Sequence, residues 1–438
     1  MKFVLASYGS RGDVEPCVAV GRELLRRGHE VHMAVPPDLI GFAESAGPAA
    51  VAFGPDVQPI LHAHRDFWTY FFGNFWRIGD LIRLRREIAA PVIDRWEEIC
   101  TTLASLADGA DMLVSGLNFE QSAANVADYY DIPLATLHIF PVRANGQFLR
   151  LVPSWVGRSA MRLFWWLSWR LAKNVDDAQR GALGLPKATG PLPRRMNERG
   201  WLEIQAYDEV CFPGLGAEWA KFDGRRPFVG ALTMELPTEA DEEVASWIAA
   251  GTPPIYFGFG SVPVESPADT LGMISAACAQ LGERALVCTG GSDFSGVPHF
   301  EHVKLVGAVN LAAVFPACRA VVHHGGTGTT ATGLRAGVPT LILPTDIDQT
   351  LWGSRVKRLK VGTARRFSST SQKSLVADLR RILAPDYVAR AREIAARMTS
   401  SSESIAAAAD VVEDFASRPR GRKSRYGGPH GLRGADKH

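Results

Sequence analysis

Short apolar runs bounded by glycine, proline and charge alternate with amphipathic stretches along most of the chain, the pattern of strands and helices taken in turn. Phe3-Val4-Leu5-Ala6 predicts a first strand and Gly9-Ser10-Arg11-Gly12-Asp13 a loop. Residues 14–27 predict a helix with Pro16 in its first turn, where a missing N–H costs little. Gly28 closes that helix, and residues 31–35 predict the next strand. The pattern returns at Met112-Leu113-Val114, a helix near residues 121–130, and Leu134-Ala135-Thr136-Leu137. A second series starts at Ile255-Tyr256-Phe257-Gly258-Phe259, after the turn Gly251-Thr252-Pro253-Pro254. It continues through Ala285-Leu286-Val287-Cys288, Ala320-Val321-Val322 and Thr340-Leu341-Ile342-Leu343. Strands separated by helices pair in parallel, so the expected class is α/β, with two doubly wound parallel sheets facing across a cleft. Residues 212–237 have no sustained period and mark the join. The divisions are then 1–213, a linker at 214–237, 238–398, a helical segment at 399–416 and a tail at 417–438.

Two stretches break the alternation. From 61 to 104, Phe67, Trp68, Tyr70, Phe71, Phe72, Phe75 and Trp76 precede Arg77, Arg83, Arg85 and Arg86. From 155 to 173, Trp165, Trp166 and Trp169 sit among Arg162, Arg170 and Lys173. Both are helical in period and read as insertions on the first half. Ordinary core packing of aromatics is one reading; a greasy acceptor site with peripheral membrane contact is the other.

Composition narrows the classes. A chain of 438 residues is long enough for two or three domains, and 46% hydrophobic with 21% charged residues is a globular balance. The net charge of +2 gives no whole-protein field for nucleic acid. Seven Lys or Arg against one Asp fall from Ser417 onward, so +6 sits in the tail and −4 in the rest. That tail is expected to be disordered. Cys17, Cys100, Cys211, Cys278, Cys288 and Cys318 never form CxxC, so no disulfide framework or zinc site is legible. A reducing, cytoplasmic location is expected, extending to the inner face of the membrane. The opening MKFVLASYGSRGD is too short for a signal peptide or a membrane span.

The densest chemistry is His323-His324-Gly325-Gly326-Thr327-Gly328-Thr329-Thr330, between an apolar run and a helix. Small residues let a diphosphate approach the backbone, and the first helical N–H groups stabilise its charge. His324 and the hydroxyls of Thr329 and Thr330 add donors. The plain alternative is a glycine turn. Further on, Asp348-Gln349 offers acceptors and a donor suited to vicinal sugar hydroxyls.

These motifs, with GVPTLILP between them, resemble the nucleotide-sugar glycosyltransferases of the GT-B fold. More closely, they resemble the family-1 enzymes that decorate glycopeptide antibiotics, sterols and glycopeptidolipids in actinobacteria. The resemblance implies diphosphate contacts from His324, Gly326, Gly328, Thr329, Thr330 and Ser261. It implies sugar contacts from Asp348 and Gln349, with Trp352 as the aromatic residue that usually follows. It places the nucleoside base at Val306, Ala308 and Val309, where this chain lacks the tryptophan of plant members, so uridine and thymidine donors stay open. It returns the final helix, 399–416, to the first half.

The same resemblance makes Ser10-Arg11-Gly12-Asp13 the acceptor-side loop. Direct displacement needs a group to take the acceptor proton. Asp13 is the candidate base, provided burial raises its pKa; its plain role would be to cap the following helix. Asp346-Ile347-Asp348 is a literal DxD, a metal motif in the unrelated GT-A fold. It is set aside here because the glycine-rich helix start already serves the diphosphate. No metal and no cofactor beyond the nucleotide-sugar co-substrate are expected. The expected activity is therefore an inverting hexosyltransferase acting on a hydrophobic lipid or lipopeptide. A nucleotide-sugar epimerase of the same architecture, or a sterol or natural-product glucosyltransferase, is the alternative. A dehydrogenase is disfavoured because GSRGD lacks GxGxxG.

Overall fold

The structure, a computed structural model, describes residues 1–60, 63, 67, 77–147, 153–260, 266–290, 294 and 296–418. Two six-stranded parallel sheets organise it. The first holds β1 (Lys2–Ala6), β2 (Glu30–Val35), β3 (Ala49–Ala52), β4 (Met112–Ser115), β5 (Leu134–His138) and β6 (Leu202–Gln205). The second holds β7 (Ile255–Gly258), β8 (Ala285–Cys288), β9 (Val303–Val306), β10 (Ala320–His323), β11 (Thr340–Ile342) and β12 (Gly362–Ala364). Their orders are β3-β2-β1-β4-β5-β6 and β12-β11-β10-β7-β8-β9. Counted within each half these are the same order, the doubly wound one, with its switch point between the first and fourth strands.

Helices of eight or more residues are numbered in chain order. In the first half they are α1 (Arg11–Arg26), α2 (Ile78–Asp94), α3 (Trp96–Ala107), α4 (Glu120–Tyr130), α5 (Ser154–Ala182) and α6 (Leu192–Arg199). Then come α7 (Asp241–Ala249), α8 (Pro267–Leu281), α9 (Thr327–Arg335), α10 (Ile347–Leu359), α11 (Gln372–Ile382), α12 (Pro385–Ala395) and α13 (Ser401–Ala416). The central strands are covered on both faces and so read as continuous apolar runs. Phe3 and Leu5 pack with Val14, Cys17 and Val18 of α1 and with Ala408, Ala409 and Val412 of α13. Val4 and Ala6 turn to the other face, against Ile99 and Leu103 of α3 and Ala123 and Val126 of α4. In the second half, Ile255 and Phe257 pack against Leu271 and Ile274 of α8 and Leu375 and Leu379 of α11.

The last helix lies on the first half. Arg27 reaches Asp410 at 2.7 Å and also pairs with Glu413, which holds His29 as well. Within 214–237, Leu215 and Trp219 are buried in one cluster with Trp352 and Val356 of α10. α11 and α12 follow each other closely and are separated where Pro385 starts α12. Among the described residues no helix is long and apolar enough to cross a membrane.

Candidate functional site

Each sheet sends a glycine-bearing turn from a central strand into a helix, and both turns lie at the carboxyl ends of the strands. The first runs from β1 to α1. The helix begins at Arg11, three residues before the expected start, so Pro16 sits in the second turn rather than the first. The cause is a capping box: the Asp13 carboxylate Oδ2 accepts from the Ser10 N–H and the Ser10 hydroxyl, each at 2.8 Å. Ser-x-x-Asp is legible in the sequence as that signal. Asp13 is thus the third helical residue and not the cap itself. Gly9 has φ +135°, and a Cβ there would lie 2.4 Å from Asp13 Oδ2, so only glycine leaves room for this carboxylate. Burial raises the Asp13 pKa, the Ser10 hydrogen bonds oppose the rise, and the Asp346 carboxylate adds to it. Arg11 is exposed; it pairs with Glu15 at 3.4 Å and lies over the Phe42 ring at 4.7 Å.

The second turn runs from β10 to α9. His323 is fully buried, and its Nδ1 accepts the Gly325 N–H at 3.0 Å, which leaves its proton on Nε2. His324 lies in a space that glycines create. A Cβ on Gly260 (φ +63°) would come within 2.4 Å of the ring, and one on Gly326 within 2.6 Å. Burial lowers the His324 pKa to about 4, so the imidazole is neutral at pH 7; the nearby Gly258 backbone opposes the shift. No group has hydrogen-bond geometry to His324 Nδ1 among the described residues. Helix α9 opens at Thr327 with Gly326 as its cap, no capping side chain and no acid in its first turn. Gly328 and Thr329 are half-buried at this open end.

Two neighbours of this turn are placed otherwise than expected. Thr330 is fully buried and its hydroxyl donates to the Gly326 carbonyl at 2.8 Å, so it is spent inside the helix. Trp352 is 2% exposed, edge-on to Phe212 at 5.5 Å, and its Nε1 donates to Thr327 Oγ1 at 2.9 Å. It belongs to the core and reaches the site only by fixing Thr327. The apolar spacing Trp352, Val356, Leu359 along α10 is the sequence signal for that placement.

Beyond β11, Gln349 Oε1 accepts from the Thr345 N–H at 2.9 Å and the Thr345 hydroxyl at 3.0 Å, which leaves its amide NH2 to donate. Asp348 is half-buried, and its pKa is pushed up to about 7, first by burial, then by the Asp346 and Asp13 carboxylates. Asp13 from the first half and Asp346 and Asp348 from the second therefore share one electrostatic environment. Val306 and Val309 turn their side chains into the core beside Tyr256 and Phe315, and Gly307 and Ala308 between them are exposed. Ser261 lies outside the described residues, as do Trp68, Tyr70, Phe71, Phe72, Phe75 and Trp76.

The join was not foreseen in detail. Gly12 and Glu15 of α1 meet Thr233, Thr327 and Gly328 around a cavity of about 20 Å³, room for one water. Glu15 Oε1 accepts the Met234 N–H at 2.7 Å. Arg335, in the last turn of α9, donates to the Ala231 carbonyl at 2.6 Å, the Thr233 hydroxyl at 2.8 Å and the Thr399 carbonyl at 2.7 Å. His138 is fully buried with Glu120 Oε1 at 2.6 Å from its Nε2, which makes it a structural histidine of the first half.

Comparison with known proteins bears on this geometry. Residues 3–100 match the glycosyltransferase family 28 N-terminal domain, and residues 273–416 match the erythromycin biosynthesis protein CIII-like C-terminal domain. An uncharacterized glycosyltransferase of Mycobacterium tuberculosis is 60% identical over 423 residues, 96% of this chain and 100% of that one. The solved glycotransferase of kitacinnamycin superposes with a TM-score of 0.68 at 17% identity, over 94% of this chain and 98% of that one. Glycosyltransferase VinC, solved in complex with dTDP, gives 0.61 at 18% identity, over 94% and 100%.

Proposed function

Because this chain belongs to the GT-B glycosyltransferases of family-1 type, we propose that it moves a hexose or 6-deoxyhexose, with inversion, from a UDP- or dTDP-sugar to a hydroxyl of a hydrophobic acceptor such as a lipopeptide or glycolipid. The observation that carries the reading is the nearness of Asp13, on the first half, to Asp346 and Asp348, on the second: the Asp13 carboxylate helps to raise the Asp348 pKa, and the Asp346 carboxylate helps to raise that of Asp13. The dTDP bound by VinC supports a nucleoside-diphosphate donor.

The nucleotide sugar lies against the second half. The open N-terminus of α9 faces the diphosphate, with the Thr329 hydroxyl and a neutral His324 N–H as further donors. Asp348 and the Gln349 amide hold sugar hydroxyls. The acceptor hydroxyl enters from the first half beside Asp13. Its oxygen bonds to the anomeric carbon as the bond from that carbon to the diphosphate oxygen breaks. The acceptor proton passes to the Asp13 carboxylate, and the electron pair leaves with the diphosphate. A raised pKa makes Asp13 a stronger base than an ordinary aspartate, and its Ser10 bonds hold it in place while falling on Oδ2 alone. Charge on the leaving group is met by backbone N–H groups and His324, so no metal ion enters a step.

Asp13→Asn tests this. Transfer is expected to fall about a thousandfold, while the dissociation constant for UDP or dTDP stays within about twofold. Equal loss of transfer and nucleotide affinity removes Asp13 from the role of base.

A further inference from the structure

Helix α5 is inside out by the usual rule that a surface helix turns its polar face to water. Its buried positions include Asp176, Gln179 and Arg180. Its exposed ones include Trp155 (66%), Leu163, Phe164 (63%), Trp166, Leu167 and Leu171 (88%). At the helical pitch Leu163, Leu167, Leu171 and Phe164 fall in one stripe roughly 100° wide. Trp155, Trp166 and Arg170 lie along one flank. Exposed apolar surface gathered in this way marks a docking site.

Charge identifies what docks. From Ile132 to Val175 the chain contains no Asp or Glu, while α5 brings Arg158, Arg162, Arg170 and Lys173. Arg158 is paired with Glu218, and Lys173 with Asp177. Arg162 and Arg170 are exposed, the latter with its guanidinium 5.9 Å from the Trp166 ring. A leucine and phenylalanine stripe, tryptophans at its edge and arginines clear of any acid on the same segment form the pattern of a helix lying in a lipid interface. We propose that α5 docks this face on an anionic phospholipid bilayer. Leu163, Phe164, Leu167 and Leu171 enter the acyl boundary, Trp155 and Trp166 sit at headgroup level, and Arg162 and Arg170 meet lipid phosphates. The inference stands apart from the transfer chemistry, since neither nucleotide nor acceptor enters it.

The test uses the full chain without donor or acceptor, and vesicles of phosphatidylcholine with or without phosphatidylglycerol. Cosedimentation is expected with the anionic vesicles, with bromine-labelled acyl chains quenching tryptophan fluorescence. Leu163→Gln/Phe164→Gln/Leu171→Gln is expected to lower the partition coefficient at least about tenfold. Arg162→Gln/Arg170→Gln is expected to lower it about fivefold per arginine at low salt. Trp155→Phe/Trp166→Phe is expected to keep binding and lose most of the quenching. Unchanged circular dichroism and dTDP affinity show that the variants fold. Binding that survives the triple variant at full strength, as a basic tail acting alone gives, overturns the proposal. So does a wild-type chain that ignores anionic vesicles and instead dimerises through α5.

Discussion

The N-termini of α1 and α9 occupy equivalent places in two sheets of the same strand order, and they are finished in opposite ways. At α1 the first turn carries its own carboxylate, and Asp13 closes on Ser10. At α9 the cap is a bare glycine, the first turn holds no acid, and the adjoining imidazole has an unengaged nitrogen among the described residues. A helix start that supplies its own anion has little left to offer another, whereas one left open retains its N–H groups and dipole for a ligand. Under the proposed function the contrast divides the labour: the open start of α9 is left to the anionic donor, and the carboxylate at α1 to the acceptor hydroxyl.

That contrast can be erased. Thr329→Asp places a carboxylate at the third position of α9, as in α1. Affinity for UDP or dTDP is expected to drop about a hundredfold by calorimetry, from repulsion between close like charges. Retained affinity would mean that the open end does not hold the diphosphate. Trp352→Phe keeps the packed ring and deletes its bond to Thr327. A loss of about 1 kcal/mol in urea unfolding is expected, with a several-fold rise in donor KM. A KM change without a stability change would move Trp352 from the core into the site.

The acid at α1 is also a source of instability once it is ionised. Its folded-state pKa lies above the ordinary aspartate value, so the folded state holds that proton more tightly than the unfolded chain. The resulting stability is present at low pH and lost as pH rises through the folded pKa. Asp13→Asn is therefore expected to raise Tm at pH 8 and to change it much less at pH 4, and a Tm gain that does not grow with pH contradicts the assignment. In the wild type, kcat should fall on the acid side with an apparent pKa above that of a free aspartate. The smallest effect is expected from chelation: EDTA should leave transfer unchanged, and inhibition reversed by manganese would give the DxD motif the metal role set aside above.

Strands with uninterrupted apolar runs were legible, because burial on both faces leaves no polar alternation to confuse them. Four strands were not. Ala49–Ala52 is a weakly hydrophobic edge, Val303–Val306 is interrupted by Lys304, and Gly362–Ala364 is three residues long. β6 reads as polar because Glu203 and Gln205 are buried in it, and the partners that make the Glu203 charge tolerable, Arg143 and Arg226, lie 60 and 23 residues away. In the site, the turns and their helices were legible from glycine, histidine and aspartate spacing. The direction of individual side chains was not. Thr330, Trp352, Val306 and Val309 all turn inward, and for one of them, Trp352, the helical phase of positions 352, 356 and 359 carries the signal in the sequence.

Residues 231–234 are held on three sides: Glu15 takes the Met234 N–H, Arg335 takes the Ala231 carbonyl and the Thr233 hydroxyl, and Ser401 donates to the Thr233 carbonyl. Those anchors belong to the helix that carries Asp13, the helix that starts at Thr327 and the last helix of the fold. Any swing of one sheet against the other that preserves these bonds turns on this short segment as on an axle. Atoms near it keep their spacing while the outer edges of the sheets travel furthest. The approach of α1 to the Thr327 turn, where Gly12 and Glu15 meet Thr327 and Gly328, is then constrained more tightly than the outer edges of the two sheets.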